Sequence, residues 1–224
     1  MRTLLLLCVV LLLDACGKPE TPPAAAPKAA ATITAQHLTA LPQPAATALT
    51  QWITQLEQFD KAAQALAKAP SAAHLAAARS AWQTSYGGFN RNLVWLLGNR
   101  TAAQLVMHQL DPLPIQPGYV DALKEWPDSG LVNDPTLKLD AASLVQQNQA
   151  TDDSEVSLGF QVIQFLLWGS DGLPRKAEDF RAARRAQYLT LVCAQLLQDA
   201  QAATQALQQQ GTDLTLGKQA AQKR

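Results

Sequence analysis

Apolar side chains return every three or four residues along most of this chain, the spacing that keeps them on one face of an α-helix. Leu49, Trp52, Ile53, Leu56, Phe59, Ala63 and Leu66 follow it, bracketed by Pro44 and Pro70 as start and stop signals. Ser71 is placed to cap a second helix in which Leu75, Ala78, Trp82, Tyr86, Phe89, Leu93 and Leu96 keep near-heptad spacing. The phase survives Gly87-Gly88, so one continuous helix is expected there. A third helix is expected from Asp153 or Ser154 to Trp168, ended by Gly169 and the Ser170-Asp171-Gly172 turn. A fourth, about Ala177 to Gln210, carries Phe180, Tyr188, Val192, Leu196 and Leu207 and stops at Gly211. No segment alternates with period two over a useful length. The expected fold class is therefore all-α, a helical bundle of four long helices.

Residues 99–152, between the second and third helices, form a long connection containing Pro112, Pro114, Pro117, Pro127 and Pro135. Connections of this length in a compact domain carry function or short helices of their own. Asp140 is placed to cap one such helix at Ala141 to Gln149, and Pro117 to open another through Tyr119 to Lys124.

Arg2 followed by the apolar run Thr3 to Leu13 is about half the roughly 20 residues a spanning helix needs, and it matches a signal-peptide core. Leu13-Asp14-Ala15-Cys16 resembles a bacterial lipobox, so residues 1–15 are expected to leave and Cys16 to carry lipid, with ordinary secretion after Ala15 as the alternative. Gly17, where inner-membrane retention normally uses Asp, favours the outer membrane, with the protein facing the periplasm. Residues 16–32 are rich in Pro, Ala and Lys; at about 3.1 Å per residue, this tether could hold a domain about 50 Å from the bilayer. Residues 33–210 suffice for one helical domain, and 211–224 are expected as a polar tail.

Composition narrows the chemistry. With 18 basic and 18 acidic residues and no aromatic-plus-basic stripe, nothing points to nucleic acid. The cysteines are Cys8, Cys16 and Cys193; lipid on Cys16 leaves Cys193 unpaired, a small hydrophobe in an apolar helical stretch.

Leu158-Gly159-Phe160-Gln161-Val162-Ile163-Gln164-Phe165-Leu166-Leu167-Trp168-Gly169 resembles the G-x-H-x-x-E helix of the imelysin family, bacterial envelope proteins linked to iron. Gly118-Tyr119-Val120-Asp121, Ser129 to Pro135, and Ala81-Trp82 look like further segments of that family, in the same order, so the resemblance covers about residues 45–205. It implies a helical fold and a role in iron or other divalent metal acquisition; the family has also been described as peptidase-like. The departures are specific. Gln161 stands at the family's His position and Gln164 at its Glu position. Positions i and i+3 share a helix face, so a His and a Glu there could jointly hold a metal or a water. A neutral amide has no basic nitrogen and is a poor ligand for transition metals. Where the family places Arg, Tyr and Glu after its Ala-Trp, this chain has Tyr86, Phe89 and Leu93, an apolar face without the family's ion pairs. Typical imelysins also have a second helical half.

These points lead to a ligand-binding site at Gly159, Gln161 and Gln164, with no catalytic residue and no metal ligand assigned. For the amide pair itself, a structural role satisfying buried partners is preferred over a polar-ligand site. His74 and His108 are far apart in sequence, and Trp52, Trp82, Trp95 and Trp168 fit core spacing, whereas Trp126 is expected at the surface. Asp152, Asp153 and Glu155 are explained as helix-start charges. The expected function is a non-catalytic envelope lipoprotein, held at the membrane by N-terminal lipid and binding an envelope protein or a small polar ligand. The alternatives are a metal-binding or peptidase-like enzyme using residues outside the motif, and a chain that pairs with itself or a longer relative.

Overall fold

The computed structural model describes residues 38–170 and 173–224; the signal sequence, Cys16, the tether and His37 lie outside the described residues. In chain order the helices are α1 (Gln43–Lys68), α2 (Ala72–Leu97), α3 (Arg100–Leu105), α4 (Pro117–Val120), α5 (Ala141–Gln147), α6 (Gly159–Trp168), α7 (Ala183–Gln210) and α8 (Leu214–Ala221). The fold is all-α, and its only paired strands among the described residues are the two-residue β1 (Gly169–Ser170) and β2 (Leu173–Pro174). No helix among the described residues is long and apolar enough to cross a membrane.

The periodic stripes become the core. α1 and α2 form a hairpin, and α7 packs along α1 while α6 lies against α7 and α2. Leu49, Trp52, Leu56 and Phe59 of α1 are buried with Phe89 and Leu96 of α2, Phe160, Ile163 and Leu166 of α6, and Tyr188, Val192 and Leu196 of α7. Ser71 caps α2 as expected, its Oγ accepting from the His74 amide at 3.1 Å. α2 continues through Gly87-Gly88, and Gly88 lets the hairpin close: a Cβ there would stand 2.8 Å from Trp52 Cδ1.

Three boundaries differ from the sequence expectation. The third helix begins at Gly159, not Asp153 or Ser154; Asp152 instead accepts from the amide and hydroxyl of Ser154, closing a turn ahead of it, and Leu158 enters α6 extended, without a side-chain cap. The fourth splits into a 3-10 turn at Ala177–Arg181 and α7, because Ala182 is extended between them. Residues 211–224, expected as a polar tail, contain α8, which packs on α2. Polar contacts rather than apolar ones define its start: Asp213 accepts from the Thr215 and Leu216 amides, and its own amide donates to the Gly98 carbonyl at 2.8 Å. Thr212 also pairs with Thr39 through backbone bonds in both directions.

The connection carries α3, a π-helical turn at Val106–Leu110, α4 and α5; α4 and α5 were expected, but α4 stops at Val120 rather than Lys124 because Asp121 is extended, and α5 stops at Gln147 rather than Gln149 because Asn148 is extended. Asp140 caps α5 through the Ser143 amide at 2.8 Å. Most of the rest is irregular, and arginines fasten it. Asp121, fully buried, receives Arg185 through two bonds of 2.8 and 2.9 Å and Arg175 at 2.9 Å. Burial raises its pKa, yet the hydrogen bond from Arg185 and the charges of both arginines hold the carboxyl below its ordinary value. One residue earlier on α7, Arg184 donates to the carbonyls of Leu131, Val132, Asp134 and Leu137. Together, Arg184 and Arg185 bind the connection to the start of α7. Replacing Asp121 by Ala strands two guanidinium groups in a dry site, so urea denaturation should show a loss of about 3–5 kcal/mol; an unchanged midpoint contradicts this role.

Candidate functional site

The motif helix starts where it does because of its glycine. Gly159 has φ +89°, and a Cβ on it would stand 2.7 Å from the Gln109 carbonyl oxygen and 2.8 Å from that of Leu110. Those carbonyls belong to the π-helical turn, a rare form that often marks functional sites. The close approach sets the next residue, Asp111, against the first turn of α6.

Gln161 Nε2 donates to Asp111 Oδ1 at 2.8 Å and to the Tyr86 hydroxyl at 3.1 Å. Arg224, from beyond α8, donates to Asp111 Oδ2 at 2.8 Å and to the Asp111 carbonyl. Asp111 is only 3% exposed. Burial pushes its carboxyl above the ordinary aspartate value, while the Gln161 bond and the Arg224 charge oppose that shift. The Tyr86 phenol is raised as well, first by burial and then by the Asp111 charge.

The α2 face that the sequence marked as apolar holds this arrangement in place. Trp82, in the Ala-Trp pair, donates from Nε1 to the Phe160 carbonyl at 3.0 Å. Its ring stacks on Tyr86 at 4.8 Å, and Phe160 packs against Tyr86 and Phe89 at 5.1 and 5.3 Å. At the other end of α6, Arg79 lies over the Trp168 ring at 5.4 Å and donates to the Leu167 carbonyl, satisfying a helix-end acceptor. The expectation that ion pairing is missing around the motif is corrected here. The Asp111–Arg224 pair supplies it from the connection and the C-terminal segment.

Gln161 and Gln164 do border one cavity, of about 180 Å³, with Ile115, Pro117, Phe165 and Trp168. They differ in state: Gln161 is half-buried with its nitrogen engaged, and Gln164 is exposed. The cavity offers amide donors and acceptors beside aromatic walls, which suits a small polar group; neither amide supplies a base or a nucleophile. Among the described residues no three of His, Cys, Asp and Glu are grouped to hold a metal.

The remaining candidates fall elsewhere. His74 Nδ1 meets the Ala69 carbonyl at 2.6 Å near the start of α2, and His108 Nδ1 meets Gln149 Oε1 at 2.9 Å. Trp52 and Trp82 are buried, Trp95 and Trp168 are half-buried, and Trp126 is 64% exposed as expected. Cys193 is buried and free, and burial drives its thiol pKa well up, which removes thiolate chemistry. The sequence reading missed Asp111 and Arg224. An acid between Leu110 and Pro112 was the available signal for the first, and a solitary arginine gave none for the second.

A family model described as imelysin, peptidase M75, matches residues 45–223. No curated protein matches the chain. Ala at position 159 would need both a strained φ and a displaced π turn, so Gly159→Ala should cost at least about 1–3 kcal/mol in urea denaturation. A stability equal to that of the natural chain would show that α6 does not need this approach.

Proposed function

Because the chain belongs to the imelysin family, we propose that it is an envelope lipoprotein of that family, a non-catalytic binding module associated with iron or other metal acquisition. The reading places it on the outer membrane facing the periplasm, recognising a partner protein or a small polar ligand. One observation carries it: the side chain at the motif's His position is an amide whose nitrogen already donates to Asp111 and Tyr86.

In this reading Gln161 is a donor, where a motif His would be a metal ligand or base. Its NH2 group hydrogen-bonds a buried carboxylate, and its amide nitrogen has no basic lone pair to offer a metal. Gln164 keeps the outward position and offers a free amide to whatever enters the cavity. Hydrolysis would require an activated water, and the pair gives no group to take its proton.

Calorimetry with ferrous iron, zinc and copper tests the central part. The natural domain should give no binding heat, and the Gln161→His, Gln164→Glu double variant should gain binding, since a His and a Glu then border the same cavity on one helix face. Binding by the natural chain would move the metal-binding reading ahead of this one. The anchor has its own check: replacing Cys16 by Ala should shift the protein out of the membrane fraction, and unchanged fractionation removes the lipoprotein.

A further inference from the structure

Asp111 faces two places at once. Its Oδ1 side meets Gln161, and its Oδ2 side forms the floor of a second cleft, of about 410 Å³, walled by Leu97, Met107, Leu113 and Ala220. Arg224 lies in that cleft with its guanidinium on the carboxylate.

A plain stabilising ion pair leaves three features unexplained. The cleft stays open with Arg224 in place. At its lip, Met107 is 56% exposed and Leu113 53% exposed, two of the four large apolar side chains among the described residues that stand out in solvent. Arg224 also follows the last residue of α8 by three positions and makes no backbone hydrogen bond through its own amide among the described residues. Its anchorage is the side-chain contact with Asp111.

We propose that this cleft is a recognition site for an arginine side chain of a peptide or protein partner, and that Arg224 occupies it in cis. The chemistry is complementary at each level. A carboxylate 3% exposed needs a cation with directed N–H groups, which a guanidinium provides in a planar fork. The Asp111 carbonyl beside it accepts from the same nitrogen, so Arg224 Nη2 alone serves both acceptors and leaves the other guanidinium N–H groups for further partners. The apolar walls suit the methylene stem of an arginine, and the exposed Met107 and Leu113 suit the residues next to it. Lys223, also at the cleft, disfavours a second cation and therefore a polyamine. A partner arginine must displace Arg224, so apparent affinity is reduced by the fraction of time Arg224 is home.

Asp111 touches the motif cavity only through its bond from Gln161, and the cleft requires nothing of what that cavity binds. The test uses the full chain, with N-acetylarginine methylamide as the probe and its uncharged citrulline isostere as the control. In Arg224→Ala the arginine probe should bind at least about tenfold more tightly than in the natural chain, and the citrulline probe should not gain. Arg224→Gln should behave like the alanine variant, and thermal melts of both show whether the fold is kept. Adding Asp111→Asn to either variant should abolish the gain. The proposal is overturned if folded Arg224 variants bind the arginine probe no better than the natural chain, if citrulline gains equally, or if the Asp111 replacement leaves binding intact.

Discussion

A carboxylate removed from water must be given donors and a counter-charge, and this chain places two such groups, Asp111 and Asp121, on its least regular segment. Each draws distant parts of the chain to itself. Asp121 gathers Arg175 and Arg185, which fastens the connection to α7. Asp111 gathers Gln161 of the motif helix and Arg224 beyond α8. The long helices would pack through their apolar faces in any case, but the connection's path and the motif helix's setting follow from these two charges.

The motif helix is firmly framed in this chain. Gly159 brings α6 against the π turn, Trp82 holds the helix through the Phe160 carbonyl, and positions 161 and 164 border one cavity. The side chains at both of those positions are neutral amides, and the first is engaged with Asp111 and Tyr86. A donor amide beside an acid is a self-satisfied pair, and this is the physical basis of the proposed recognition role. The same acid lines the second cleft, where its opposite oxygen accepts from Arg224.

Much of the helical fold was legible in the sequence because burial of a stripe needs only the right period. Leu49 to Leu66 and Leu75 to Leu96 became α1 and α2 with their caps near the expected places. The start of the motif helix was misread because Asp152 to Glu155 look like capping residues, and they make a local turn instead. α8 was missed because backbone and Asp213 contacts, rather than an apolar stripe, define where it begins. At the site, Gln161 and Gln164 were found by their place in the motif. Asp111 and Arg224 were not, since a pair separated by 113 positions leaves no local pattern.

The central claim is that the motif position now serves as a donor to a buried carboxylate. A double-mutant cycle on Gln161→Leu and Asp111→Ala, read by urea denaturation at neutral pH, tests it most directly. The account predicts a coupling of about 1.5–3 kcal/mol, the range for a hydrogen bond to a charged group. Additive effects, with coupling below about 0.5 kcal/mol, would contradict it.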